Sequence, residues 1–280
     1  MLGKTLALTI ACLAACGAAR ADALTEIAER GIVRLGVRFD APPFSHKASN
    51  GEPAGLAVAL CHEVVRRMAA QMGRERLGIE HVTVNARERF PALIERRTDI
   101  HCGPASATLQ RRETLDFSIL YFVDGAGIAS RPQSYQQVFE SGGGTFGVVG
   151  GTTTMAVAED LIARNGLDGE ILIFPSHDKG LAALADGTVD LYFGDQAILL
   201  FQIEAAGLAE QIGVREDVLS FEPYALVMRR GETALRLAVD RALSAIYEDG
   251  GIYRLIRKEL GDYPLSPEAR AVYEIVGMPE

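Results

Sequence analysis

Two kinds of hydrophobic pattern alternate along the chain. Short runs rich in β-branched and aromatic residues occur at 32–37, 82–84, 117–129, 145–149, 171–174, 189–193 and 221–228. Segments in which apolar positions recur every three or four residues occur at 54–72, 87–96, 155–165, 233–248 and 252–260. The short runs predict strands and the longer segments predict amphipathic helices. Their alternation predicts an α/β fold with mostly parallel sheets.

The chain is long enough for two lobes. Residues 131–223 suit one small lobe, and they lie inside the chain rather than at an end. We therefore predict that residues 22–130 together with 224–280 form the first lobe and that residues 131–223 form the second. Crossings near Ser130 and Pro223 would join them. A cleft between two lobes favours binding of a small ligand, with hinge closure around it.

The first 21 residues have the features of a secretory signal peptide. Lys4 precedes a mostly apolar run, and Ala19-Arg20-Ala21 forms a small-residue cleavage site before Asp22. The run is too short to span a bilayer. Residues 13–16, Leu-Ala-Ala-Cys, are also typical of a bacterial lipobox, so lipidation of Cys16 is the alternative. Both routes predict an extracytoplasmic protein.

The charge of the mature chain narrows the classes of partner. Cleavage would remove Lys4 and Arg20, which changes the net charge from −9 to −11. An acidic chain without a polybasic cluster argues against nucleic acid as a partner and against an anionic membrane surface. An anionic ligand would therefore have to be held by cations that cluster locally.

Residues 102–118 contain a candidate anion site. We predict a strand that ends at Cys102, a tight loop over residues 103–107, and a helix with Thr108 as its N-cap and Arg111 one turn in. Free N–H groups at a helix N-terminus favour an anion, and an arginine can hold a carboxylate in a bidentate manner. The alternative is an ordinary strand–loop–helix junction with Arg111 in solvent.

Two cysteines remain after the signal region. Cys61 lies in a predicted helix that should pack near the strand that carries Cys102. In an oxidising compartment such a pair can form a disulfide, and we predict one here. His62 and His101 flank these cysteines, but neighbours on a strand point to opposite faces. We therefore predict no metal site and no cofactor.

Several short motifs resemble those of one known family, in the family's order and spacing. They are residues 31–37 (GIVRLGV), 41–44 (APPF), 51–56 (GEPAGL), 91–94 (PALI) with Asp99, 108–111 (TLQR), 116–118 (DFS), 151–153 (GTT) and 187–195 (GTVDLYFGD). Over about residues 24–262 the chain resembles the periplasmic solute-binding proteins, family 3, of amino-acid ABC importers. The resemblance implies the two-lobed type II periplasmic binding protein fold with a hinged cleft.

The resemblance also implies ligand-binding roles. Arg111 matches the arginine that holds the ligand α-carboxylate, with Ser106 assisting. Asp195 matches the carboxylate of the second lobe that pairs with the α-ammonium group. Thr152 and Thr154 match contacts to a carboxylate at a helix N-terminus.

Within the family, the chain looks most similar to glutamate/aspartate-binding proteins. Phe44 lies in the loop that lines the cleft, and Arg38, Arg89 and His177 match the cationic groups that hold the side-chain carboxylate. One carboxylate, Asp195, against these cations and Arg111 suits a ligand with one ammonium and two carboxylate groups. Three arginines around a neutral or cationic amino acid would leave unpaired charge.

Some positions depart from the family pattern. Ala57 and Ala59 replace acidic residues, Pro104 replaces a hydroxyl residue, and Leu226 stands where glutamate/aspartate binders have a cysteine that pairs with the one matching Cys102. These departures leave the amino acid that is bound open. Structural alternatives also exist for the chosen residues: ion pairs of Arg38 with Asp40 and of Arg89 with Glu88, packing of Phe44, and helix N-termini at His177 and Asp195.

We therefore expect a monomeric periplasmic binding protein that captures an acidic L-amino acid, glutamate or aspartate, and delivers it to a membrane ABC permease. We expect no enzymatic activity. A cyclohexadienyl or arogenate dehydratase on the same fold is one alternative, but the sequence shows no pair of carboxylates placed for acid–base catalysis. A sensory module that presents its ligand to a membrane receptor is the other, because a fold does not determine function.

Overall fold

The computed structural model describes residues 22–279 apart from residues 264 and 266. The helices are α1 (Ala23–Arg30), α2 (Leu56–Gln71), α3 (Arg89–Ile94), α4 (Leu109–Arg112), α5 (Ser134–Ser141), α6 (Thr153–Arg164), α7 (His177–Asp186), α8 (Gln196–Ala205), α9 (Thr233–Glu248), α10 (Gly251–Leu260) and α11 (Pro267–Ile275). The strands are β1 (Ile32–Val37), β2 (Asp40–Ala41), β3 (Ser45–Lys47), β4 (Pro53–Ala54), β5 (Gly78–Thr83), β6 (Ile100–Cys102), β7 (Leu115–Ser130), β8 (Gly143–Val149), β9 (Asp168–Phe174), β10 (Leu191–Asp195), β11 (Gly213–Val214) and β12 (Ser220–Arg229).

The predicted signal peptide and the lipobox cysteine Cys16 lie outside the described residues. Among the helices within the described range, none has the length and apolar character needed to cross a membrane.

The predicted strands and helices are present, with shifted ends. The largest extension of a strand is at β5, which begins at Gly78 because residues 78–83 pair continuously with β1. The sequence pattern did not predict α1, α5, α11, β11 or the small sheet β2–β3–β4. In α1 only Ala23 and Ile27 are buried, which leaves too weak a periodic signal to predict a helix.

One nine-stranded sheet runs through the molecule in the order β5-β1-β6-β12-β7-β10-β8-β9, and β11 pairs with β7. Its two flanks are parallel: β1 pairs with β5 and β6, and β8 pairs with β9 and β10. Its centre is antiparallel, because β12 runs against β6 and β7, and β7 runs against β10. The prediction of mostly parallel sheets is therefore right for the flanks and wrong for the centre.

Apolar residues from both ends of the chain share one core. Leu60, Val64 and Met68 recur every four residues on α2 and are fully buried, and α2 packs against α9 and α10. Separate apolar clusters form between residues 128 and 219, on both faces of β8 and β10. This arrangement supports the predicted lobes, whose boundaries at residues 130 and 223 stay a prediction.

A close backbone contact fixes the loop that follows β2. The N–H groups of Leu56 and Ala57 at the start of α2 donate to the carbonyls of Pro43 and Phe44, both at 2.9 Å. Gly55 has φ +110°, and a Cβ there would lie 2.6 Å from the Phe44 backbone. Only glycine fits such a position, so the residue type at 55 holds this loop against α2.

A disulfide joins Cys61 of α2 to Cys102 at the end of β6, which confirms the predicted pairing. Both cysteines are fully buried in the core that apolar residues from both ends of the chain share. The bond therefore connects the helix to the strand from which the loop with Ser106 and Arg111 continues.

We predict that removal of this disulfide lowers the free energy of unfolding by about 4 kcal/mol, because the bond closes a long segment of the unfolded chain. The two cysteines are 41 residues apart in the sequence. The variant Cys61→Ala/Cys102→Ala and the reduced wild type should show similar losses in denaturant unfolding. Reductant should not change the variant. A loss below about 1 kcal/mol would contradict the prediction.

Candidate ligand-binding site

A narrow cavity with polar walls lies between the C-terminal end of β1, α3 and α4 on one side and the N-terminal ends of α6 and α7 with the end of β10 on the other. In this structure its free volume is about 10 Å³, room for no more than one water molecule. Eight of the nine predicted ligand-binding residues line it: Arg38, Arg89, Ser106, Arg111, Thr152, Thr154, His177 and Asp195.

Phe44 is the exception. Its ring is fully buried and packs edge-on against Phe122 and Tyr224, with centroid distances of 4.9 and 5.1 Å. It is absent from the cavity wall. The expectation that Phe44 touches the ligand is therefore wrong for this structure, because the contact of its loop with α2 turns the ring into the core. Phe44 supports the site from behind, through Tyr224.

Arg38 and Asp40 form a buried ion pair. Nε and Nη2 of Arg38 donate to the two carboxylate oxygens of Asp40 at 2.9 and 2.8 Å. Burial opposes ionisation of Asp40, yet the charge and the hydrogen bonds of Arg38 outweigh it and lower the pKa of Asp40. Arg38 thus lines the cavity, and it also forms the ion pair with Asp40 that was the structural alternative to a ligand-binding role. The pair brings little net charge to the site.

Arg89 and Arg111 have no carboxylate within ion-pair distance among the described residues. Arg89 donates to the backbone oxygens of Ala86 and, at 3.1 Å, of Gly151, while its Nε is buried without a partner. Arg111 Nη1 donates to the backbone oxygen of Ser106 at 2.9 Å. Burial lowers the pKa of both guanidinium groups, and for Arg89 the charges of Arg38 and Arg111 add to the effect.

Both guanidinium groups also lie over one aromatic ring. The Cζ atoms of Arg89 and Arg111 are 4.4 and 5.0 Å from the centroid of Phe90. Cation–π contacts of this kind stabilise a guanidinium without neutralising it. Phe90 therefore holds the two cations close together and leaves their charge available to an anion.

Two helix N-termini border the cavity. Thr108 caps α4, because its Oγ1 accepts a hydrogen bond from the Arg111 N–H at 3.2 Å, as predicted. At the start of α6, the Thr154 hydroxyl donates to Thr152 Oγ1, which donates to the Val149 oxygen. Neither threonine side chain caps α6, so the N–H groups of its first turn stay available to an anion in the cavity.

Glu222, a buried carboxylate on β12, was not predicted from the sequence. Its oxygens accept hydrogen bonds from Ser106, from Thr153 at 2.7 Å and from Ser220 at 2.9 Å. The hydroxyl donors come from both sides of the cavity. The available signal was a glutamate at the start of an otherwise apolar strand, next to the predicted crossing at Pro223.

Asp195 lies at the N-cap position of α8, but its side chain makes no capping hydrogen bond. Instead it accepts a hydrogen bond from the Tyr224 hydroxyl. Burial, and next the nearby charge of Glu222, raise the pKa of Asp195 to about 6. The carboxylate is therefore a partly desolvated anion that a ligand cation would stabilise.

His177 is the first residue of α7, and its Nδ1 lies 3.1 Å from the Tyr192 hydroxyl. Burial, and next the charge of Arg38, lower the pKa of His177 to about 4. The imidazole is thus neutral at pH 7. Without a ligand, burial therefore opposes the cationic form expected of His177, and its role as a cation beside a ligand carboxylate stays a prediction. A neutral imidazole still offers one N–H donor to a ligand oxygen.

The charges of the site differ from the predicted balance of one carboxylate against four cations. Once Arg38 is paired with Asp40, two guanidinium groups, Arg89 and Arg111, and one carboxylate, Asp195, line the cavity, while Glu222 lies behind the wall that carries Ser106 and Thr153. Three hydroxyls compensate Glu222. The remaining groups can bind carboxylates at the arginines and an ammonium group at Asp195. Within the described range, no three acidic, histidine or cysteine side chains are placed to hold a metal ion.

Comparison with known proteins identifies the family of this chain. The sequence pattern of the bacterial extracellular solute-binding proteins, family 3, matches residues 33–262. An L-glutamate/L-aspartate-binding protein of Pseudomonas aeruginosa is 26% identical over 237 residues, which cover 84% of this chain and 78% of that protein. A putative amino-acid ABC transporter-binding protein of Escherichia coli K12 is 28% identical over 83% of this chain and 68% of its own length.

The fold has solved counterparts. The crystal structure of a mutant of ArgBP from T. maritima superposes with a TM-score of 0.74 at 24% identity, and covers 86% of this chain and all of that one. At this identity the similarity concerns the fold alone. The chain therefore has the two-lobed fold that the sequence motifs implied.

We predict that Asp40→Asn lowers the free energy of unfolding by roughly 3 kcal/mol, because it leaves the buried Arg38 guanidinium without its carboxylate. The matched control is Asp217→Asn, which breaks the exposed pair with Arg215 and should change stability by less than about 0.5 kcal/mol. Denaturant unfolding of both variants at pH 7 measures the difference. Equal effects would show that burial of the Arg38 pair is unimportant.

Proposed function

The chain belongs to the bacterial extracellular solute-binding proteins of family 3, and we propose that it captures an acidic L-amino acid, glutamate or aspartate, for a membrane ABC permease. The observation that carries this proposal is the pair of guanidinium groups without a carboxylate partner among the described residues, the buried Arg89 and the half-buried Arg111. They lie in one cavity with Asp195.

The proposed binding mode assigns one site group to each charge of the ligand. Arg111, with Ser106 and the N-terminus of α6, holds the α-carboxylate, and Asp195 pairs with the α-ammonium group. Arg89 holds the side-chain carboxylate, assisted by the neutral His177. A charge-assisted hydrogen bond to a desolvated guanidinium is among the stronger polar contacts in proteins.

The burial of Arg89 argues for an anion rather than a neutral group at its end of the cavity. Its side chain is 2% exposed, and its Nε has no hydrogen-bond partner. A neutral ligand side chain would leave this cation desolvated and unpaired, which is unfavourable. A carboxylate there offers both an opposite charge and the missing acceptor.

The free volume of the cavity is too small for an amino acid in this structure, so binding and release require its walls to move apart. Arg38, Arg89 and Arg111 come from the predicted first lobe, whereas Thr152 to Thr154, His177 and Asp195 come from the predicted second lobe. A ligand that contacts both sides stabilises the closed form by its differential affinity for it. We propose that the permease recognises this form, in the periplasm, and that no covalent step occurs.

We predict that L-glutamate or L-aspartate binds the mature protein at least about 100-fold more tightly than L-glutamine, since one charged hydrogen-bonded pair contributes about 3 kcal/mol. Arg89→Gln should reduce this preference to within about tenfold, and Arg111→Gln should abolish binding of all amino acids. Isothermal titration against glutamate, aspartate, glutamine, arginine and histidine measures each affinity.

The matched control is Arg97→Gln, which removes an exposed arginine that pairs with Glu95. It should leave the affinities unchanged. Tight binding confined to a neutral or basic amino acid would contradict the acidic specificity and retain the binding class. Turnover of prephenate, measured on the same preparation, would contradict the proposal that no covalent step occurs and would favour the dehydratase alternative.

A further inference from the structure

A second aspartate, which the proposed binding mode does not use, lies behind Asp195. Asp124 is on β7 opposite Glu222 of β12, and its side chain is buried. The Tyr224 hydroxyl lies between the two aspartates: it contacts Asp124 Oδ2 at 3.3 Å and hydrogen-bonds Asp195 Oδ2. The cluster thus runs from the central strands to the proposed ammonium subsite.

If both aspartates are ionised, the contact between Asp124 and the Tyr224 hydroxyl has no proton to form a hydrogen bond. The Asp124 carboxyl group accepts from the N–H groups of Gly125 at 2.8 Å and Ala197 at 3.3 Å. The Tyr224 hydroxyl has a single proton and cannot donate it to two carboxylates at once. If Asp124 is protonated, it donates to the Tyr224 oxygen while Tyr224 donates to Asp195, and every contact is satisfied.

The surroundings of Asp124 favour this neutral form. The titratable groups around it are Asp195 at the start of α8, Tyr224 and Glu222 of β12, Tyr121 of β7 and Tyr263 after α10. Arg215 and Glu216 line the same surface pocket as Asp124. The cations Arg38 and Arg111 act on Asp195, and no described lysine or arginine forms an ion pair with Asp124. Burial, and next the charge of Asp195, raise the pKa of Asp124 to about 8.

We propose that Asp124 is a positioning residue for the ammonium subsite and that it releases its proton when a ligand ammonium group pairs with Asp195. In the ligand-free protein it orients the Tyr224 hydroxyl toward Asp195. The ligand cation offsets the charge of Asp195, so the Asp124 O–H bond breaks and the proton passes to the buffer. This inference rests on the proposed amino-acid site, but it requires only the ammonium group that all amino acids share.

The sign of the effect follows from linkage. If ligand binding lowers the pKa of Asp124, protons are released at pH values between the pKa of the ligand-bound protein and that of the ligand-free protein. Affinity then rises with pH over this range. If binding lowers the pKa of Asp124 from about 8 by about one pH unit, about half a proton is released per ligand near pH 7.5 and about 0.1 proton at pH 6. Asp195, with its pKa of about 6, releases protons mainly below pH 7.

The experiment is isothermal titration at pH 7.5 in phosphate, HEPES and Tris, whose ionisation enthalpies differ. The ligand is L-glutamate or, if another amino acid of the panel binds more tightly, that amino acid. The slope of apparent enthalpy against ionisation enthalpy gives the number of protons released. We expect about half a proton for the wild type and none for Asp124→Asn, whose amide mimics the neutral acid and should retain affinity within about threefold.

The matched control is Asp240→Asn, which removes a partly buried aspartate that accepts from the Ile119 N–H, outside the cavity. Its proton release should equal that of the wild type. Zero release by the wild type, or equal release by Asp124→Asn, would overturn the inference while amino-acid binding stood.

A second measurement does not depend on any ligand. Carbon-13 NMR of aspartate carboxyl groups in the ligand-free protein should show a group that titrates near pH 8 and is absent from Asp124→Asn. If no such group titrates above pH 7, the inference fails. If the group is present but no amino acid binds, the proposed function fails instead and only the protonation of Asp124 stands.

Discussion

The antiparallel pairing of β7 with β12 is the constraint on which the rest of the site depends. These two long strands lie at the centre of the sheet, and their paired residues run from Leu115 with Arg229 to Ala126 with Ser220. One end of the pair packs in the core shared by the chain termini, and the other reaches the clusters between residues 128 and 219. The register of this pair brings Asp124, Glu222 and Tyr224 to the back of the cavity.

The buried charges of the site are compensated in three different ways. Arg38 has a carboxylate partner, Glu222 has three hydroxyl donors, and Arg89 and Arg111 have an aromatic ring and backbone oxygens. Only Arg89 and Arg111, which contact a ring and backbone oxygens, keep a full positive charge without an opposite one beside it. A buried cation without a counter-ion is unfavourable for the folded protein, so these two arginines favour a function that supplies an anion.

Local sequence features predicted much of the molecule. The spacing of Thr108 and Arg111 predicted the capped helix, and the motif resemblance placed eight residues in one cavity. The sequence could not predict the contacts of Glu222 with Ser106 or of Asp124 with Tyr224, since those partners are 116 and 100 residues apart and meet only through the strand register. It also could not show that burial opposes the cationic form of His177, because a residue type alone does not show burial.

The disulfide between Cys61 and Cys102 has a mechanical consequence for the cavity. Ser106 lies four residues after Cys102, so the wall that carries Ser106 and Arg111 is covalently anchored to α2 and thereby to the larger core. No comparable covalent link is described for the wall formed by α6 and α7. The wall that carries Ser106 and Arg111 is thus one rigid unit with α2 and the core around it.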